Sequence, residues 1–102
     1  MVRWIRTATI KNGGKFQEAI GWAKEVSAYI EKTLGTKIEI FLDAFGVSGK
    51  IRWMMDQQDL GKIDQMNAKL MADQQYWKFV DRAAKAELFI EGSVHDIVMR
   101  QV

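Results

Sequence analysis

No cysteine occurs in the chain, so a disulfide framework, a thiolate nucleophile and a thiolate metal site are all excluded. That absence agrees with a reducing compartment, and cytoplasm is the expected location. His95 is the only histidine, and no acidic residues cluster around it at ligand spacing, so neither a metal nor another cofactor is expected. No apolar run approaches the roughly 20 residues that span a bilayer. The opening Met1-Val2-Arg3-Trp4-Ile5-Arg6 is too charged for a signal peptide, and a soluble protein with no membrane partner is expected. An excess of one charge is missing as well. The 15 basic and 13 acidic residues are interspersed and leave a net charge of +2, which argues against nucleic acid as a partner. Aromatic residues do not alternate with Lys and Arg along an exposed strand, so no base-stacking platform is indicated. Asn12-Gly13-Gly14-Lys15 lacks both the Walker spacing and the dinucleotide fingerprint, and reads as a turn. Ser27, Ser48 and Ser93 do not combine with one histidine and an acid into a nucleophilic triad.

What the chain does contain is a strand, helix, strand pattern repeated twice within 102 residues, enough for a single domain spanning residues 1–102. Ordering a chain of this length costs roughly 100 to 200 kcal/mol of conformational entropy, so most large apolar side chains must be buried. A first strand is predicted over Val2 to Lys11, leaving through the glycine pair at 13 and 14. Phe16, Ile20, Ala23, Val26, Ile30 and Leu34 recur at helical spacing, and Gly35 supplies the stop. Strands over Lys37 to Phe45 and Lys50 to Asp56 form a hairpin around Gly46-Val47-Ser48-Gly49. With Phe45 opposite Lys50, Ala44 pairs with Ile51, Leu42 with Trp53 and Ile40 with Met55, while Asp43 meets Arg52 and Phe41 meets Met54. Asp59 caps a second helix carrying Ile63, Met66, Leu70, Trp77, Val80 and Ala84, with a break that Asp73 restarts. A last strand is predicted from Glu87 to Gln101, with Gly92 marking a bulge.

These elements predict an α+β ferredoxin-like βαββαβ sandwich, with two helices on one face of a four-stranded antiparallel sheet. The helices cover Ile38, Ile40, Leu42, Ile51, Trp53 and Met55. The opposite face carries Phe41, Phe45, Met54, Phe89, Ile97 and Met99 together with Glu39, Asp43, Arg52, Glu91 and His95. Such a face is too apolar for water and too charged for a dry core. Two copies are therefore expected to pair sheet to sheet in a homodimer, with Phe41, Asp43, Phe45, Arg52 and Met54 in the interface.

The segment Ile5-Arg6-Thr7-Ala8-Thr9-Ile10-Lys11-Asn12-Gly13-Gly14-Lys15 resembles the strand-to-helix entry of NIPSNAP-like proteins. Asp73-Gln74-Gln75-Tyr76-Trp77-Lys78-Phe79 resembles their second-helix segment. The resemblance implies a dimeric α+β barrel, the fold shared with antibiotic-biosynthesis monooxygenases and haem-degrading enzymes. Haem-degrading relatives use an asparagine on the first strand with a tryptophan and a histidine on the second helix. Trp77 matches that tryptophan, but no histidine follows and Asn12 lies in the turn, so haem cleavage by that route is not expected. Fold likeness alone does not carry an activity across.

Two residues have the chemistry for catalysis. His95 suits general acid or base work near neutral pH, although beside Glu91 and Ser93 a hydrogen-bonded interface residue is the simpler reading. Arg6 offers a fork of donors to an anionic ligand group, or forms a cross-strand or interhelical ion pair. Asp43 and Arg52 read most simply as a hairpin salt bridge. Trp22, Tyr29, Trp53, Tyr76, Trp77 and Phe79 supply more aromatic surface than two helical stripes require, which either fills a core or lines a pocket. A pocket for a flat apolar ligand, lined by Trp53, Met66 and Trp77, is expected between helices and sheet. The function read from the sequence is a homodimeric barrel that binds an apolar small molecule or serves as an interaction module. The alternative is a cofactor-independent monooxygenase or isomerase acting on an aromatic or polyketide-like substrate.

Overall fold

Alternating apolar residues build the strands, and stripes at helical spacing build the helices that cover them. A computed structural model describes all 102 residues. Strand β1 (Val2–Thr9) leads through a short 3-10 turn (Gly13–Lys15) into helix α1 (Phe16–Leu34), followed by strands β2 (Glu39–Leu42) and β3 (Lys50–Gln57). Helices α2 (Leu60–Met71) and α3 (Gln74–Lys85) precede strand β4 (His95–Arg100). The sheet has four strands in the order β2-β3-β1-β4, and every neighbouring pair is antiparallel. This is the ferredoxin-like α+β arrangement expected from the sequence, with the second helical segment divided in two.

Helix α1 lies close to the sheet because small residues face it. Ala19, Ala23, Val26 and Ser27 are its buried positions. It ends where Gly35 takes φ +68°, a left-handed conformation that glycine adopts without strain, and donates its N–H to Glu31 O at 2.8 Å. Glu31 Oε1 then accepts from Ile38 N at 2.9 Å, which aims the chain into β2. The core under α1 holds Ala8, Ala23, Ile38, Ile51 and Trp53. Trp22, Trp53 and Phe89 meet edge to face, with ring centroids 5.5 to 6.3 Å apart, the geometry that the ring quadrupoles favour.

The helix between β3 and β4 breaks at Ala72 and Asp73, as expected. Asp59 accepts from Lys62 N at 2.9 Å to cap α2. Asp73 accepts from Tyr76 N at 3.0 Å to cap α3, while Tyr29 donates its hydroxyl hydrogen to the same carboxylate at 2.6 Å.

Three expectations about the sheet need correction. The hairpin register is displaced by two residues, with Ile40 opposite Trp53, Phe41 opposite Arg52 and Leu42 opposite Ile51. A shift of two keeps every side chain on its face, so Asp43 and Arg52 still pair diagonally, at 2.7 and 3.1 Å. The loop widens because Gly46 and Gly49 both adopt positive φ, and Gly49 O is bound by Ile10 N at 2.9 Å. Phe45 consequently sits in that loop, 97% exposed, rather than on the strand face. The long last strand is interrupted too. Phe89 bridges Ile10, a turn follows with Gly92 at φ +77°, and pairing resumes at His95. The turn resets the alternation, which puts Phe89 in the helix-side core and Glu91 in the turn.

Replacing Ile51, which is fully buried, by alanine is expected to lower stability in urea by about 3 kcal/mol; a loss below about 1 kcal/mol would contradict its place in the core. Hydrogen bonds from Arg52, Arg3 and Tyr29, in turn, hold the carboxyls of Asp43, Asp56 and Asp73 below the usual carboxylate pKa. Because the folded values lie below the unfolded value of about 3.9, this contribution is present above about pH 4 and is lost as pH falls through the folded values. The urea midpoint should therefore drop below pH 4, and a midpoint that rises on acidification contradicts these pairings.

Candidate functional site

Period two along β1 sends Trp4, Arg6 and Ala8 toward the helices and Arg3, Ile5 and Thr7 toward the open side of the sheet. A guanidinium is thereby placed among apolar groups, where it needs a counter-charge. Asp96 stands directly opposite Arg6 in the β1–β4 register. It accepts from Arg6 Nε at 2.7 Å and from Nη2 at 2.9 Å, a bidentate pair across the strands. The third nitrogen, Nη1, donates to the Tyr76 hydroxyl at 3.4 Å, and the guanidinium lies 5.4 Å from the centre of the Trp4 ring. The hydrogen bond to Asp96 raises the Arg6 pKa against the opposing cost of burial. The same bond holds the Asp96 carboxyl below the usual range.

This cluster forms one end of a cavity of about 60 Å³ between helices and sheet. Trp4 and Arg6 of β1, Ile30 and Leu34 of α1, Ile38, Met55 of β3 and Tyr76 of α3 form one part of the wall. Ile63, Met66, Asn67 and Leu70 of α2 close it from outside. Nine of the eleven lining residues are hydrophobic, and Arg6 alone is charged. The volume holds about two water molecules and is below the roughly 300 Å³ at which drug-sized ligand pockets begin. The cover over it is light, since none of the twelve residues of α2 is buried.

Of the residues expected in the pocket, Met66 lines the cavity and Trp53 and Trp77 do not. Trp53 is sealed into the ring cluster with Trp22 and Phe89. Trp77 is 45% exposed and donates its indole N–H to Met71 O at 2.8 Å. The break at Asp73 rotates the inward stripe, so Tyr76 and Ala83 are the buried positions of α3. Arg6 is a cavity residue, and it also makes the cross-strand ion pair. His95 lies opposite Thr7 on the open face, exposed and away from the cavity. No group of three or more His, Cys, Asp or Glu side chains converges in the molecule, and no helix is long and apolar enough to cross a membrane.

The open face is the second candidate surface. Phe41, Met54, Ile97 and Met99 share it with the bidentate pairs Arg3–Asp56 and Arg52–Asp43. Phe41 is 46% and Ile97 54% exposed, whereas Ile5 at its centre is already buried by its neighbours. Sequence reasoning missed Trp4, Asn67 and Asp96 as site residues. Asp96 was findable only through the pairing of β1 with β4, which joins residues 90 positions apart.

No family model and no curated protein matches the sequence. Solved structures do match in fold. A NIPSNAP family protein from Agrobacterium tumefaciens superposes with a TM-score of 0.81 at 24% identity, over 99% of this chain and 92% of that one. An uncharacterized NIPSNAP domain protein from Burkholderia xenovorans gives 0.81 at 16% identity, over 100% and 95%. An antibiotic biosynthesis monooxygenase gives 0.71 at 12% identity, over 100% and 99%. The chain thus has the ferredoxin-like α+β fold of NIPSNAP family proteins and of antibiotic biosynthesis monooxygenases, which is the fold of the single chain that its sequence resemblance implied.

Proposed function

We propose that this protein is a cytoplasmic homodimer that binds a small, largely apolar molecule in the cavity beneath α2. The observation that carries the reading is a pair of polar groups, the Arg6 guanidinium and the Tyr76 hydroxyl, at one end of a cavity whose other lining residues are apolar except for Asn67 of α2. Ligand sites combine apolar walls with a few placed polar groups that fix orientation. Entry enlarges the cavity by displacing α2, whose stripe of Ile63, Met66 and Leu70 is only partly buried. Dimerisation covers the open face. Phe41, Met54, Ile97 and Met99 pack against their copies, and the Arg3–Asp56 and Arg52–Asp43 pairs remain compensated within the interface. Phe45, the most exposed aromatic residue, is assigned to the same interface.

A second reading, a cofactor-independent monooxygenase or isomerase, is favoured by the likeness in fold to an antibiotic biosynthesis monooxygenase together with donors held in an apolar cavity. Oxygen consumption with reduced aromatic substrates tests it directly. Neither reading gives His95 a catalytic part, since it is exposed on the open face and does not line the cavity.

Light scattering at micromolar concentration should give twice the 11.7 kDa chain mass, and Ile97→Glu should give a folded monomer; a monomeric native protein contradicts the dimer. Aromatic and polyketide-like compounds should change tryptophan emission, and Trp4→Phe should abolish most of that change. A protein whose emission is unaffected up to the solubility limit of such compounds does not use the cavity in this way.

A further inference from the structure

Resting on the cavity reading above, we infer that the site is built for a neutral carbonyl compound, such as a small aryl ketone, rather than for a carboxylate. The carbonyl oxygen would accept from the Tyr76 hydroxyl and from Arg6 Nη1. Three features of the cluster lead there.

First, the charge of Arg6 is already matched. Its Nε and Nη2 edge is taken by both oxygens of Asp96, at 2.7 and 2.9 Å. Asp96 itself does not line the cavity, so the pair presents donors to the interior without a net charge. A ligand carboxylate would add an uncompensated anion to an apolar space beside an existing one, and burying an unpaired charge is far more costly than burying a dipole. No second cation lines the cavity to offset it.

Second, the Tyr76 hydroxyl has an unused hydrogen. The oxygen accepts from Arg6 Nη1 at 3.4 Å, which leaves the O–H free to donate. The residue is 7% exposed, and buried donors are nearly always partnered. An acceptor is therefore called for at this end of the cavity. Donation by the neighbouring guanidinium also polarises the hydroxyl, strengthening the bond it can give.

Third, the remaining wall, in which Asn67 is the one further polar side chain, suits a largely apolar body. Ile30, Leu34, Met66 and Leu70 offer no charge, and methionine adapts its shape to what it packs against. One acceptor on a compact hydrocarbon frame matches this division between polar end and apolar wall.

The test follows the resonance of the Trp4 indole N–H, identified by its loss in Trp4→Phe, in the full-length labelled protein. Three probes of similar size are titrated: acetophenone, cumene and benzoate. Acetophenone should bind more tightly than benzoate. Tyr76→Phe should weaken acetophenone by about tenfold, the loss of one well-placed hydrogen bond, and leave cumene within about twofold. Asp96→Asn should reverse the preference by uncovering the Arg6 charge, strengthening benzoate by about tenfold or more. Benzoate binding the native protein more tightly than acetophenone would overturn the inference, as would Tyr76→Phe weakening acetophenone and cumene equally. In both cases the cavity would still be a binding site. If none of the three probes shifts the resonance, the cavity reading fails and the carbonyl assignment fails with it.

Discussion

Strand β1 is bonded along both edges, to β3 on one side and β4 on the other. Its two faces therefore have no freedom to exchange roles. Period two sends Val2, Trp4, Arg6 and Ala8 beneath the helices, and it sends Arg3, Ile5, Thr7 and Thr9 to the open side. Everything else in the molecule accommodates that division. Ala8 permits α1 to lie close, Arg6 requires Asp96, and Ile5 requires the cover that its neighbours on the open face supply. A slip of one residue would expose Trp4 and bury Arg3 without a partner, so the register is specified as strongly by the charges as by the apolar residues.

Packing is unevenly distributed over this frame. Helix α1 contributes Ala19 and Ala23, both fully buried, and its Trp22 locks onto Trp53 and Phe89 while donating to Phe79 O at 2.8 Å. Helix α2 contributes no buried residue and is tied down by its Asp59 cap and by Lys69 Nζ donating to Thr33 O at 3.0 Å. Elements with few buried apolar contacts occupy the low-stability end of a fold and open first. The lightly held helix is also the one that roofs the cavity. The same sequence thus makes a densely packed wall from α1 and the sheet, and a lightly packed one from α2.

How far this was legible in the sequence depended on the range of the signal. Local features were plain. The Gly35 stop, the Asp59 and Asp73 caps and the apolar stripe of α1 all follow from a few adjacent residues. The hairpin register was not fixed by face pairing, because shifts of two residues preserve both faces; the positive φ of Gly46 and Gly49 and the bond from Ile10 to Gly49 decide it. Trp77 was misplaced because one helical stripe was carried through a break that changes its phase. Phe89 was misplaced for the analogous reason in a strand, since the turn at Gly92 restarts the alternation. Arg6 was recognisable as an unusual charge on a strand, but its partner Asp96 lies 90 residues away and only the sheet order brings it near.

The cavity and the open face sit on opposite sides of the sheet, yet they share strands. On β4, Asp96 points to the helix side between His95 and Ile97, which point to the open side. In the proposed dimer, packing against Ile97 and Met99 restrains an edge strand whose six residues are otherwise all exposed. Restraining β4 fixes the Asp96 carboxylate, and a fixed carboxylate holds the Arg6 fork in place. Orientation of that fork decides which nitrogen faces Tyr76. An edge strand free to fray would lose the bidentate geometry first, because its other edge has no strand beside it. In that dimer, covering the open face would add to the order of a pair that the single chain already forms, and would tie the proposed assembly and the proposed binding to one strand pair rather than to two unrelated surfaces.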